Sequence, residues 1–359
     1  MAGKAGRRAR GAADGPASVA VAAWLSAVIA GDSAAPPPLD SAALALLRHG
    51  RLTALAASTA SGDPRLAGVA RDAFALAMLA QHAAAAAVAV LEAGGIETLT
   101  LKGPAFAVQI LDDAALRPSG DVDLLVRRAD LPAVRRACAT AGMRGALHYP
   151  AWYEERWHDH AAFSGPPGAR LVTVEVHWDI VRPGLSRLPV DQVFASRVDV
   201  ACGGETLPAA ALPWQAVFAA AHAAQHFFDG RGLLDVALAG RRLDRSGWAT
   251  AVEAARRSRL GPALYYACDL LARWLDWRLP EGVAGLRPAA AQDRLVRRFL
   301  RDWSPWRAID SRSIQVAKFG TPLAISSRAA GMAGLAVSVT DRPNVCTDID
   351  RWVRSRRRR

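Results

Sequence analysis

Asp121 and Asp123 stand two residues apart in "RPSGDVDLLVRR", where a turn made of Arg117, Pro118, Ser119 and Gly120 gives way to an apolar run. Side chains alternate across a strand, so carboxylates at i and i+2 leave one face, roughly 6.5–7 Å apart along the chain. Two acids so placed raise each other's pKa unless a cation lies between them, and a hard divalent ion shared with substrate phosphates is the usual resolution. The alternative is a pair of solvated strand-edge or turn residues. In either case Val122 and Leu124 point the other way, into a core that Leu125 and Val126 continue.

The elements that must position this pair follow from the flanking sequence. Residues 98–101 read as a strand, Lys102-Gly103 as a turn and the next residues as a short helix, before the turn that leads into the Asp strand. Residues 130–142 read as a helix opened by an Asp130 cap with Pro132 in its first turn. The stretch "HDHAAFSGPPGARLVTVEVHWDI" has the form of a hairpin turned by Gly165-Pro166-Pro167-Gly168. In its second strand Val172, Val174 and Val176 share one face, and Thr173, Glu175 and His177 share the other.

Three motifs in order, "LKGPAFA", "LRPSGDVDLLV" and "VTVEVHWDI", resemble the uncharacterised nucleotidyltransferase family of the polymerase-β-like superfamily. The agreement in order and spacing spans residues 96–182, with fainter agreement beyond. The resemblance implies an α+β fold: a small mixed β-sheet core in which a glycine turn opens a helix, a D-x-D strand follows and a later strand supplies a third acid. It implies Asp121, Asp123 and Glu175 as catalytic and metal-binding carboxylates for Mg²⁺ or Mn²⁺. On the nucleotide side it points to Lys102, Gly103, Arg117, Gly120 and His177. The superfamily turn is usually Gly-Gly or Gly-Ser; here it is Lys102-Gly103-Pro104, without the Ser that would touch a triphosphate.

The implied activity is transfer of a nucleoside monophosphate from an NTP, ATP among them, to an acceptor that the chain does not name: a small molecule, a sugar, a peptide or RNA. Two alternatives stand beside it, a toxin-like nucleotidyltransferase acting on RNA and a catalytically silent fold serving as a binding partner in a biosynthetic cluster. For individual residues the bland readings are a solvated turn residue for Lys102, a structural salt bridge for Arg117 and a half-buried polar residue for His177. His158 and His160 flank Asp159 in an expected edge strand, where a structural role is favoured over lining an acceptor pocket. His222 and His226 are spaced i, i+4, but "HAAQH" lacks the Glu of a metalloprotease helix, so they read as packing over the core near its cleft, with Asp235 nine residues on.

Composition bounds the rest. The formal charge is +12, yet Lys4, Arg7, Arg8 and Arg10 at one end and Arg351, Arg354 and Arg356 to Arg359 at the other supply ten charges, leaving +2 on the body. A basic RNA-binding face is therefore not expected of the fold, although the tails can contact nucleic acid or anionic lipid. Cys138, Cys202, Cys268 and Cys346 form no CxxC pair and no disulfide framework, which favours a reducing, cytoplasmic setting. Residues 73–91 carry no charge, but Gln81, His82 and the abundance of Ala favour a buried helix ending at Gly94-Gly95 over stable membrane insertion. There is no P-loop, no G-x-S-x-G and no dinucleotide fingerprint; Gly331 and Gly334 lack the third glycine. The expected organisation is a disordered basic tail (1–17), a helical region (18–95), the nucleotidyltransferase core (96–182), a second helical region (183–310) and a weakly structured end (311–359).

Overall fold

A computed structural model describes residues 15–32, 35–49, 51–59, 63–145, 151–275, 277–301, 303–304 and 324–326. The basic stretches 1–10 and 351–359, the 331–337 glycine stretch and Cys346 lie outside the described residues. Helices α1 (Pro16–Ala30), α2 (Ser41–His49), α3 (Thr53–Thr59) and α4 (Pro64–Ala93) come first. Then follow β1 (Leu99–Thr100), α5 (Gly103–Leu111), β2 (Asp121–Leu125), α6 (Leu131–Thr140), α7 (Ala151–Trp157), β3 (His160–Ser164) and β4 (Thr173–His177). Next are α8 (Val190–Ala195), β5 (Val198–Cys202) and β6 (Glu205–Ala209), and after them α9 (Leu212–Gln225), α10 (Gly230–Arg242), α11 (Arg245–Arg257), α12 (Gly261–Leu275) and α13 (Ala290–Phe299). This is the expected α+β arrangement, a mixed sheet with helical regions before and after it.

The sheet has six strands in the order β3-β4-β2-β1-β6-β5. β2 runs parallel to β4, and β1 parallel to β6, while β1–β2, β3–β4 and β5–β6 are antiparallel. The sheet thus extends past residue 182, because β5 and β6 add a second hairpin within the stretch 183–310 expected as a helical region. Its turn is Gly203-Gly204, with φ of 62° and 84°, the left-handed pair that closes a two-residue hairpin and that glycine adopts without strain.

One face of β2 and β4 packs as the alternation requires. Val122, Leu124, Val126, Val172, Val174 and Val176 join a core with α4 and α6. Leu125 turns the other way, into the larger core built by α9, α10 and α12 together with Leu99, Leu101, Phe106 and Ile110. The carboxylate face of the sheet therefore looks toward the C-terminal helices.

Two local expectations need adjusting. α1 starts at Pro16, inside the stretch expected to be disordered, with Gly15 as its cap residue. Asp130 makes no side-chain cap; a 3-10 turn over Arg128–Asp130 leads into α6 instead. In α4 the residues facing the core are Ala73, Ala77, Ala80, Ala84, Ala87 and Leu91, whereas Phe74 and Met78 are exposed. Small side chains let this helix lie close to the sheet, which is why alanine rather than the larger residues carries its packing. α4 is long and apolar enough to span a membrane by length and composition, and its alanine face is spent on the core.

Candidate active site

Strand register brings the acids together. In the parallel β2–β4 pair Asp121 lies opposite Thr173, Asp123 opposite Glu175 and Leu125 opposite His177. His177 reaches back along the face so that its Nε2 is 3.0 Å from Asp123 Oδ1 and 3.5 Å from Glu175 Oε2. One ligand atom from each of Asp123, Glu175 and His177 lies within 4.8 Å of the others, so the three can hold a metal ion. The Asp123 side chain is 2% exposed and that of Glu175 26%, so the group is sealed on one side and open on the other.

Lys102 completes the cluster from the glycine turn. Leu101 N donates to Asp123 O at 3.0 Å, which docks the end of the first strand onto β2, and Gly103 at φ 67° then swings the chain into α5. That turn brings Lys102 Nζ to 3.1 Å from Asp123 Oδ1. The ammonium also donates to His222 Nδ1 of α9 at 3.2 Å. Burial followed by the Lys102 charge pushes the His222 pKa well below its ordinary value, so its ring is neutral and Nδ1 is free to accept.

These contacts set the protonation states. Burial alone would raise the Asp123 carboxyl, but the Lys102 charge, then the hydrogen bond and charge of His177, hold it well below the usual carboxylate range. Glu175 is opposed by burial and still lies below its ordinary value because His177 donates to it. Burial works to lower His177, and the carboxylates of Asp123 and Glu175 override it, pushing the imidazole up to about 9. In the metal-free protein His177 is therefore a cation placed between two acids.

A second set of contacts fixes the turn before β2. Arg117 donates from Nε and Nη2 to the two oxygens of Asp235 at 2.6 and 2.7 Å, while its Nη1 is buried without a hydrogen-bond partner. Arg231, one helical turn before Asp235, donates to Pro118 O at 2.7 Å. Gly120 O accepts from Thr173 N at 3.2 Å, tying the turn to the start of β4. Ser119 Oγ donates to Asp121, whose carboxylate stays partly exposed at the mouth of the strand.

The structure thus gathers Asp123, Glu175, His177 and Lys102, keeps Asp121 on the same strand face, and gives Arg117 a buried ion-pair partner. Sequence reasoning placed His222 and Asp235 near the cleft but gave neither a contact. Asp235 had a signal: a lone acid in the apolar helix "GLLDVALAG" must be paired if buried. His160, for which a structural role is favoured, packs its ring on that of His177 with centroids 4.9 Å apart.

Carboxylates from two parallel strands, facing a lysine on a glycine turn that opens a helix, define a nucleotidyltransferase-type core. Residues 41–276 match the family model described as "Uncharacterised nucleotidyltransferase", and the chain belongs to that family. No curated protein and no solved structure matches the chain.

Proposed function

We propose that the protein is a metal-dependent nucleotidyltransferase that moves a nucleoside monophosphate from an NTP to an acceptor. The observation that carries this reading is the parallel β2–β4 register, which sets Asp123 beside Glu175 on the face that Lys102 reaches from the turn. The donor set suits a hard divalent ion, since Asp121, Asp123 and Glu175 offer only oxygen. Positive charge is also what the site already collects, as the Lys102 ammonium and the His177 proton show. Asp121, Asp123 and Glu175 would hold Mg²⁺ or Mn²⁺, which when bound neutralises phosphate charge and lowers the pKa of the attacking group.

The chain's own groups position the reactants. Lys102, with the backbone N–H groups at the start of α5, forms a positive end for the phosphates. Pro104 contributes no N–H there, so the ammonium takes a larger share than in a Gly-Ser turn. Arg117 Nη1 is the donor left over for a phosphate oxygen, on a side chain whose orientation Asp235 fixes. The acceptor oxygen bonds to the α-phosphorus, the bond to pyrophosphate breaks, and the acceptor's proton leaves toward the carboxylate face. Transfer of this kind needs little beyond positioning and charge stabilisation.

The test is incubation of the purified chain with each α-labelled NTP and Mg²⁺ or Mn²⁺, against small-molecule, sugar, peptide and RNA acceptors. Label should move to one acceptor class, and Glu175→Gln should lower the rate by about 10²-fold or more, as for a group acting mainly on the transition state. The variant's metal-free melting temperature should hold, since Glu175 is partly exposed. Full activity in a destabilised Glu175→Gln would make Glu175 an ordinary structural residue and remove it from the reaction.

A further inference from the structure

On the far side of His177 lies a group of side chains that nucleotidyl transfer does not use. His160 and His177 are cross-strand partners in the β3–β4 pair, and Asp159 immediately precedes β3. Asp159 Oδ1 is 3.5 Å from His160 Nδ1, and its Oδ2 is 3.9 Å from His177 Nδ1. One ligand atom from each of the three lies within 4.8 Å of the other two. Both Nδ1 atoms are buried and make no hydrogen bond, although the His177 side chain is only 6% exposed. A protonated Nδ1 in that position would be a buried donor too far from Asp159 to bond it. In the metal-free protein the His177 Nδ1 proton is such a donor, and an ion that displaces it would take the lone pair left behind.

We propose that Asp159, His160 and His177 form a second metal site, taking a borderline divalent ion of the Zn²⁺ class through the Asp159 carboxylate and the two imidazole Nδ1 atoms. Ligands about 2.0–2.1 Å from a tetrahedral ion stand about 3.4 Å from one another; the rings now face different Asp159 oxygens at 3.5 and 3.9 Å, so the carboxylate must turn and the group, within 4.8 Å, must close around the ion. The opposite nitrogens support the assignment. His177 Nε2–H points at Asp123 and Glu175, and His160 Nε2 lies 3.9 Å from Glu175 Oε2. A metal-bound imidazole whose other N–H faces a carboxylate is the usual way a histidine ligand is oriented and made more basic. Two nitrogens and one oxygen also suit Zn²⁺ better than Mg²⁺, which prefers oxygen alone. The His160 side chain is 23% exposed on an edge strand, which gives an ion a path in. The site adjoins the proposed Asp121–Asp123–Glu175 centre through His177 but shares no carboxylate with it, and it stands whether or not that centre transfers nucleotides.

The test uses the full, tag-free chain stripped with a chelator and reloaded with Zn²⁺ alone. X-ray absorption at the zinc edge of the wild type should show two imidazoles with oxygen donors; one imidazole or none, or a sulfur shell from a cysteine, overturns the proposal. Competition with a chromophoric chelator should give one ion per chain. His160→Gln and Asp159→Asn should each weaken binding by more than about 100-fold, beyond the 10–100-fold typical of outer partners. Asp121→Asn should leave Zn²⁺ affinity within about threefold, since it lies outside this ligand set. Zn²⁺ binding lost in Asp121→Asn but kept in His160→Gln would place the ion at the carboxylate centre and overturn the assignment. If either ligand variant fails to fold, the wild-type absorption spectrum decides alone.

Discussion

His177 holds the balance of charge in the metal-free site. Its pKa is raised to about 9 from an ordinary value of 6.5 because it sits between Asp123 and Glu175. A group raised in the folded state contributes stability that is fully present below the unfolded pKa and lost as pH rises through the folded one. The stripped protein should therefore lose stability between about pH 6.5 and 9, and His177→Gln should flatten that part of the profile. Chemical denaturation at a series of pH values measures it, and equal slopes in both proteins would show that His177 is not charged in the fold. At this scale Glu175 was legible, because strand alternation alone separates it from Val174 and Val176. The pairing of His160 with His177 was not, because it depends on how two strands register across a turn, and no spacing within either strand contains that. Lys102 was legible as a cation on a turn, while its twofold engagement by Asp123 and His222 needed the position of α9.

The segment between α5 and β2 is held from outside by α10. The Arg117 and Asp235 side chains are only 10% and 6% exposed, so removing one partner strands a charge in the interior. Asp235→Leu should cost about 3–5 kcal/mol, and adding Arg117→Met should restore much of it, since an isolated buried charge is worse than an apolar pair. Urea unfolding of the single and double variants checks this, and a double variant no more stable than the single would mean the pair does more than neutralise itself. The β5–β6 turn offers a second test. A Cβ on Gly203 would meet Gln81 Oε1 of α4 at 1.9 Å, whereas one on Gly204 has nothing within 4 Å. Gly203→Ala should lower the melting temperature by several degrees and Gly204→Asn by little, since Asn tolerates the left-handed conformation. Equal effects would show that strain in the turn, and not contact with α4, decides the matter. The hairpin was missed in a stretch expected to be helical, although Val198, Val200, Cys202 and Leu207 alternate around the two-glycine turn Gly203-Gly204. β1 was not readable to its ends, because two residues carry no period.

Across the whole chain, the helices after residue 212 share one large core, in which α9, α10 and α12 are buried nearly all round while α11 and α13 commit one face to it. Charge tells a different story from fold, since ten of the positive charges belong to residues 1–10 and 351–359. Deleting both ends should leave the melting temperature nearly unchanged and abolish salt-sensitive retention on RNA or anionic vesicles. Retention that survives with a steep salt dependence would put a basic surface on the body and favour an RNA acceptor. The parallel partner of β1 has a consequence for how the chain acquires its structure. Thr100 pairs with Ala209, and Ala210 N then donates to Thr100 O at 3.2 Å, so a strand made early waits for one made more than a hundred residues later. Closing so long an interval is slow, and until it closes β1 keeps an edge of unpaired backbone N–H and C=O groups. As the chain leaves the ribosome, the β2–β4 pair that carries the carboxylates can form before the β1 edge is covered, and the interval before residue 209 emerges is when that edge is open to misassembly.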